Sequence, residues 1–318
     1  MNVYNGVRGQ AFKSMITKIL SRGRLKKKYI DILTSVESLK QYDYAFTSSY
    51  LDKKNNYERF EQVGDVTANK FLVWYIYRRF PQLDCTEGVK VAARIKINYG
   101  SREMFAPVAE NLGFWPYISA LSEGTERNVY YRNTNKKDLL EDVFESFIGC
   151  TEYLLDKYVR IGVGYAIVYD ILKSVYDEID ISLKYEDLYD AKTRIKETFD
   201  LFKELGKWQF IEVREKDEGQ EFGITKSYVY QIPPNNPHSK PIKIKLGDKS
   251  SDIKYQPQPG WILLGIGTAP RKNDAQQNAA SQALKNLKVK GWYKSPPTEY
   301  EYFCNANVKN SLNMNDIL

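Results

Sequence analysis

A multidomain chain, with an all-α domain followed by a small α+β domain, is the fold class predicted here, and three observations predict it. From about residue 30 to 185 apolar residues recur at helical spacing and strand-like alternation is scarce. After Tyr185 the pattern changes to an amphipathic helix, several alternating segments and a last helix, an α-β-β-β-α order. The chain has 318 residues, 42% hydrophobic and 27% charged, which gives length for two domains with sizeable cores and an ordinary globular composition.

Residues 1–34 read as a basic N-terminal extension. Lys18, Arg22, Arg24, Lys26, Lys27 and Lys28 cluster there, as a solvated arm or a contact for backbone phosphates. The first domain is expected over 35–185. Glu58 to Phe80 reads as one long helix that Pro81 ends. Thr86 and Glu87 open the next, through about Ile97, before the turn at Tyr99-Gly100. A short helix over about 102–112 stops at Gly113, and a loop follows around Trp115-Pro116. Helices over about 136–158 and 164–178 close this half.

The second domain is expected over 186–288. Residues 190–204 form an amphipathic helix with Ile195, Phe199, Phe202 and Leu205 on one side. Trp208–Val213, Ser227–Ile232, Ile242–Leu246 and Trp261–Ile266 read as strand-like segments. Ile242-Lys243-Ile244-Lys245-Leu246 alternates strictly, as a half-buried strand does. A helix over about 271–287 ends the domain. The segments 217–236 and 247–260 are longer than a minimal domain of this order needs. Residues 289–318, with Pro296, Pro297 and several Asn, read as an irregular tail or added contact arm.

Charge and rare residues narrow the function. Lys and Arg number 47 against 40 Asp and Glu, a formal charge of +7, which favours a polyanionic partner. Cys85, Cys150 and Cys304 stand far apart, which excludes a thiolate zinc cluster and fits a reducing compartment. His238 is the only histidine, so a two-histidine ribonuclease mechanism is excluded and a Ser-His-Asp triad is disfavoured. The start lacks an apolar leader segment, and the longest apolar runs, Phe71–Tyr77 and Ile161–Tyr169, are too short to span a bilayer. An intracellular, cytoplasmic protein with no membrane partner is the expectation. Abundant Tyr, Lys, Asn and Ile fit an AT-rich genome, such as that of a large DNA virus or a microbe.

Two carboxylate clusters carry the chemistry, Glu58 to Asp65 and Asp138 to Glu145. Within each, acids recur three or four residues apart and so share a helical face: Glu61 with Asp65, Asp142 with Glu145. Large apolar neighbours, Phe60, Val63, Leu140, Val143 and Phe144 among them, set these anions on the seam of a buried face. There an anion costs free energy unless it is paired or binds a cation. Two carboxylates ~4 Å apart repel by about 4 kcal/mol at an effective dielectric near 20. A hard divalent cation relieves that repulsion. Partners such as Arg59, Lys70, Lys136 and Lys137 would instead make ordinary solvated helix faces.

These residues resemble the ribonuclease III family. Asn56-Tyr57-Glu58-Arg59-Phe60-Glu61-Gln62-Val63-Gly64-Asp65 resembles its signature helix, with one residue inserted after the Asn. Arg78-Arg79-Phe80-Pro81-Gln82-Leu83 with Glu87-Gly88 resembles the next segment, and Asp142-Val143-Phe144-Glu145-Ser146-Phe147-Ile148-Gly149 the second acidic helix. Three ordered matches at compatible spacing are specific. The second half resembles a double-stranded-RNA-binding domain, through Asp190 to Glu197 and through Lys272 to Leu284. Together these regions span roughly residues 35–288.

By this resemblance Glu61, Asp65, Asp142 and Glu145 bind metal and are catalytic, and Glu58 and Glu87 match further acidic positions of the site. The cofactor implied is Mg²⁺, with Mn²⁺ as a substitute. The activity implied is endonucleolytic cleavage of double-stranded RNA by a homodimer, leaving 5′-phosphates and short 3′ overhangs. Lys196, Glu197, His238, Arg271 and Lys272 are the implied RNA contacts, with Arg271 and Lys272 at a helix N-terminus that favours phosphate and the others at the minor groove.

Three departures stand out. Gln62 occupies the place of an aromatic that fills an apolar socket of the partner subunit in the family. Asn273 replaces the second Lys of the final-helix motif, with Arg271 one residue before Lys272 in its stead. His238 follows Pro237 in a shortened Gly-Pro-x-His-like loop that lacks the Gly. The rival reading is a non-catalytic double-stranded-RNA-binding protein, ribosomal or regulatory, on the same fold. Presence of the whole acidic quartet favours the enzyme. A suppressor of RNA interference that sequesters or trims small duplexes would coexist with catalysis.

Overall fold

The computed structural model describes residues 2–124, 129, 131–215, 223–245 and 253–305. The chain folds as two compact units, Met1–Ser182 and Leu183–Cys304.

In the first unit β1 (Val3–Tyr4) leads into α1 (Gln10–Arg22), α2 (Lys27–Leu33) and α3 (Val36–Ala45). Then come α4 (Glu58–Arg79), a 3-10 turn at Pro81–Leu83, α5 (Gly88–Tyr99) and α6 (Arg102–Asn111). After β2 (Ala120–Leu121), α7 (Lys136–Tyr158) and α8 (Val163–Tyr176) complete it. The expected all-helical domain therefore carries one short strand pair, in which Val3 faces Leu121 and Tyr4 faces Ala120.

The stretch 1–34 is not a solvated extension. Phe12, Met15, Ile16, Ile19 and Leu20 of α1 are buried, at helical spacing. Arg22 pairs with Glu178 at 2.6 Å and donates to the carbonyl of Ser174 at 3.3 Å. The basic residues sit among an apolar stripe that anchors α1 in the unit's core.

Physical chemistry fixes α4 at both ends. Glu58 and Glu61 lie in its first turn and Arg78 and Arg79 in its last, each complementing the helix dipole. Pro81 then prevents continuation. Phe60, Gly64, Thr67, Ala68, Phe71, Leu72, Tyr75 and Ile76 form its buried face. That face packs on α7, the central helix, whose residues from Val143 to Thr151 are all buried. Phe144 and Phe147 lie in an aromatic cluster with Phe105, Phe114, Phe46 and Tyr42.

In the second unit α9 (Tyr185–Leu188) and α10 (Ala191–Leu201) precede β3 (Lys207–Glu215) and β4 (Ile224–Ile232). Asp190 caps α10 by accepting from the Thr193 amide at 3.0 Å. Next come β5 (Ile242–Lys245), β6 (Ile253–Gln256), β7 (Ile262–Ala269), α11 (Lys272–Val289) and α12 (Thr298–Asn305). An antiparallel sheet of order β3-β4-β7 is covered on one face by α10 and α11. Ala275, Ala279 and Ala283 of α11 meet Gly265 and Gly267 of β7 so closely that a methyl group on either glycine would overlap helix backbone. This contact is the physical reason for the alanine-rich pattern of α11.

Two expectations are corrected. The segment from Ile242 does not join the three-stranded sheet: β5 pairs with β6 in a separate ribbon and is largely exposed. Its Ile-Lys alternation mimics a half-buried strand, but among the described residues Ile242, Lys243 and Lys245 are exposed; Leu246 and residues 247–252 lie outside the described residues, as do 216–222. The tail is not wholly irregular either, for α12 buries Tyr300 and Phe303, and Tyr300 packs edge-on against Tyr185 and Tyr189. Among the described residues no helix is long and apolar enough to cross a membrane.

Candidate active site

The two acidic segments meet where α4 crosses α7. A side chain on Gly64 would overlap the carbonyl of Glu145, and one on Gly149 would overlap the carbonyl of Phe60. Glycine at both places lets the backbones touch. Below the crossing, the Ser146 hydroxyl donates to the carbonyl of Tyr57 at 3.2 Å and ties the start of α4 to α7. Glu61 and Asp65 flank Gly64 on α4, while Asp142 and Glu145 lie one turn apart on α7. The crossing thus brings all four expected metal-binding acids together.

Their electrostatics report that proximity. Burial and then the neighbouring Asp65, Glu141, Glu61 and Asp142 push Glu145 up to about 8. Its side chain is the most enclosed of the group, in a residue only 9% exposed. Burial first, then Glu61, raises Asp142 to about 7, against a hydrogen bond from Tyr57 that lowers it. Burial, then Glu58, Glu141 and Asp65, raises Glu61. Asp65 is exposed and accepts from the Asn69 amide at 2.7 Å. Glu58 is exposed beside Glu61, whereas Glu87 stands exposed just before α5, and no described interaction joins it to the four.

Sequence reasoning passed over three participants. Tyr57, buried at the start of α4, donates its hydroxyl to Asp142. Glu141 adds negative charge beside Glu61, Asp142 and Glu145. Arg102 of α6 pairs with Asp138 at 2.6 Å and with Glu141, so the nearby guanidinium is already engaged. Only the position of Tyr57 inside the signature segment could have flagged it; Arg102 carries no local signal.

Among the described residues, no three His, Cys, Asp or Glu side chains converge into a formed metal cage. The donor set nonetheless fits a hard divalent cation: oxygen anions, partly buried, each raising the next toward protonation.

Comparison with known proteins covers the two helices that form the crossing. The sequence model described as the ribonuclease III domain matches residues 58–154, from the start of α4 through most of α7. A protein of Invertebrate iridescent virus 6, provisionally named ribonuclease 3, is 42% identical over 315 residues, 95% of this chain and 96% of that protein. The chain belongs to the ribonuclease III family. A provisionally named ribonuclease 3 of Frog virus 3 is 37% identical over 182 residues, 57% of this chain and 47% of that protein. Among solved structures, the nuclease domain of ribonuclease III from Campylobacter jejuni aligns over 52% of this chain and 97% of its own at 16% identity, with a TM-score of 0.36, a likeness too slight to add to the assignment.

In this ribonuclease III family member the expected RNA contacts do not all gather. Arg271 precedes α11 and Lys272 opens it; both are exposed, and Lys272 reaches Glu212 at 3.4 Å. Lys192 of α10 is held beside them, its ammonium donating to Asn273 at 2.9 Å and Gln276 at 2.7 Å. It returns to this corner the charge that Asn273 lacks. Lys196 is exposed on α10. Glu197 instead pairs with Lys294 at 2.7 Å and accepts from the Tyr185 hydroxyl. His238 leaves β4 at the Ile232 end of the sheet, where its carbonyl accepts from the Trp261 indole at 3.0 Å. Arg271 and Lys272 follow β7 at the opposite end, where Ala269 faces Thr225. The strands between span about 9 residues, roughly 30 Å at 3.3 Å per residue, so His238 is separated from the α11 corner.

Proposed function

We propose that the chain is a divalent-metal-dependent endoribonuclease that hydrolyses double-stranded RNA as a homodimer. The observation that carries this reading is the locked crossing of α4 and α7, which gathers Glu61, Asp65, Asp142 and Glu145 so that they raise one another toward protonation. These four acids are the groups that would hold Mg²⁺, or Mn²⁺ in its place. When bound, such a cation supplies an activated water and neutralises charge on the phosphodiester. Hydrolysis then forms a bond from water oxygen to phosphorus and breaks the bond to the 3′-oxygen, which leaves a 5′-phosphate and a 3′-hydroxyl.

The chain's own residues do the positioning. Tyr57 donates to Asp142 and favours its ionised form, against the burial and the neighbouring Glu61 that raise it. Glu58 lies at the edge, beside Glu61. Glu87 keeps an outer role through its motif position alone. An exposed apolar stripe on α4, made by Val63, Val66, Val73 and Trp74, supports the homodimer. Gln62 is exposed beside it, where an amide meets solvent rather than an apolar socket.

The second unit acts as a double-stranded-RNA-binding domain. Its helix-sheet-helix order and the corner of Lys192, Arg271 and Lys272 support that role, in which cations and the first amides of α11 meet a phosphate. The test is to incubate the full chain with a long RNA duplex and Mg²⁺ and to map the ends released. The reading expects 5′-phosphates with short 3′ overhangs. Degradation of single strands in preference to duplex would overturn it.

A further inference from the structure

We propose that the second unit carries a separate binding pocket for a phosphomonoester-bearing nucleotide, formed by α10, the C-terminal half of α11 and the residues that follow it. The pocket encloses about 180 Å³. Its construction starts at Gly291, whose φ of +85° is open to glycine at little cost. There the amide of Gly291 donates to the carbonyl of Lys288 at 3.0 Å and that of Trp292 to the carbonyl of Leu287 at 2.9 Å, which ends α11 and reverses the chain. Trp292 then packs edge-on against Phe202, with ring centres 5.3 Å apart. Lys294 is pinned by its ion pair with Glu197 at 2.7 Å. The returning strand of chain becomes the third wall.

The lining has the chemistry of a site for a phosphorylated nucleotide. Arg194, Lys285 and Lys288 face the pocket and make no ion pair among the described residues. Arg194 lines the pocket, and its Nε has no hydrogen-bond partner, so protein groups do not fully satisfy its guanidinium. Lys288 lies 4.3 Å from the centre of the Tyr293 ring, so the aromatic wall is already polarised toward cations. Trp292 and Tyr293 offer ring surface to a base or sugar. Glu186 is the one acid lining the pocket, and its side chain is engaged with Tyr293.

This pocket is distinct from the expected duplex face. Lys196 is two residues past Arg194, roughly 200° around α10 at 100° per residue. The inference does not rest on the cleavage reading, because binding is read without metal and without turnover.

The test is equilibrium binding of adenosine 5′-monophosphate and of adenosine to the metal-free full chain, to a Lys285→Gln/Lys288→Gln variant and to a Lys243→Gln/Lys245→Gln variant of the exposed ribbon. All four lysines are exposed, so folding is not at stake. The expected result is binding of the monophosphate and not of adenosine, about tenfold or more weaker in the pocket variant and unchanged in the ribbon variant. Equal binding of both ligands, an unchanged pocket variant, or equal losses in the two variants would overturn the proposal. A short duplex with 5′-phosphates then identifies the source. Tighter binding than its 5′-hydroxyl twin, lost in the pocket variant, assigns the site to an RNA end. Equal binding of the twins, with the monophosphate still bound, assigns it to a free nucleotide.

Discussion

Gly64 of α4 lies against the main-chain carbonyl of Glu145 on α7, with no room between them for a methyl group. One residue thus decides how near two acidic helices approach, and the reciprocal contact of Gly149 with Phe60 decides it again a turn away. The approach of the acidic helices is set by two side chains that are missing.

Gly64→Ala therefore forces helix backbones apart. The expected cost is at least about 1–3 kcal/mol of stability, the range for overpacking a tight core. Cleavage should fall further than stability alone accounts for, because the carboxylates separate. Thermal unfolding together with activity below the melting temperature checks this. A variant of full activity and unchanged Tm would contradict it.

Metal-free stability and pH are linked through the same acids. Asp142 is raised from 3.8 to about 7 and Glu145 from 4.5 to about 8. The folded state thus holds protons that the unfolded chain releases, so stability from these groups is present below about pH 4 and lost as pH rises through 7 to 8. A bound divalent cation reverses this, since it favours the ionised forms. Mg²⁺ should raise Tm little at about pH 5.5 and clearly at about pH 8.5. Glu145→Gln should stabilise the metal-free chain at the higher pH and much less at the lower. Equal Mg²⁺ effects at both pH values would count against the assignment.

Tyr57→Phe removes the donor to Asp142 and keeps the ring. One hydrogen bond is worth about 1 kcal/mol, so the rate at neutral pH should fall by less than about tenfold. Asp142 loses an interaction that lowers its pKa, so the acidic limb of the pH–rate profile should move to higher pH. A uniform loss at every pH would mean that Tyr57 acts only through packing.

How much of this is legible in the sequence depends on range. Glu58–Arg79 and Lys136–Tyr158 can be read directly, because Pro81, the terminal charges and the apolar spacing are all local signals. The acidic quartet is legible because its members repeat at one helical turn on each of two segments. Arg102 and Lys192 are not, since each matters only through a partner that is distant in sequence: Asp138 and Glu141 for one, Asn273 for the other. The distance of His238 from the α11 corner is not legible either, because a local motif says nothing about which end of a sheet its loop leaves. The stretch 1–34 misleads because its lysines and arginines do not interrupt the buried stripe from Phe12 to Leu20.

Removing residues from 183 onward should leave a folded nuclease unit that binds duplex RNA more weakly. Fewer phosphates would be neutralised, so the dependence of log affinity on log salt should flatten, by about 0.9 for each phosphate left without its cation on a B-form duplex and comparably here. An unchanged slope would place the main RNA-binding surface in the first unit.

We assign the chemistry to the carboxylates at the α4–α7 crossing. Glu145→Gln preserves shape and removes one anion from that site. The most direct measurement incubates wild type and this variant with long duplex RNA, each with and without Mg²⁺. Short duplex products are expected from wild type with Mg²⁺ alone, and none from the variant, which still binds the duplex. Cleavage by Glu145→Gln at the wild-type rate would contradict it.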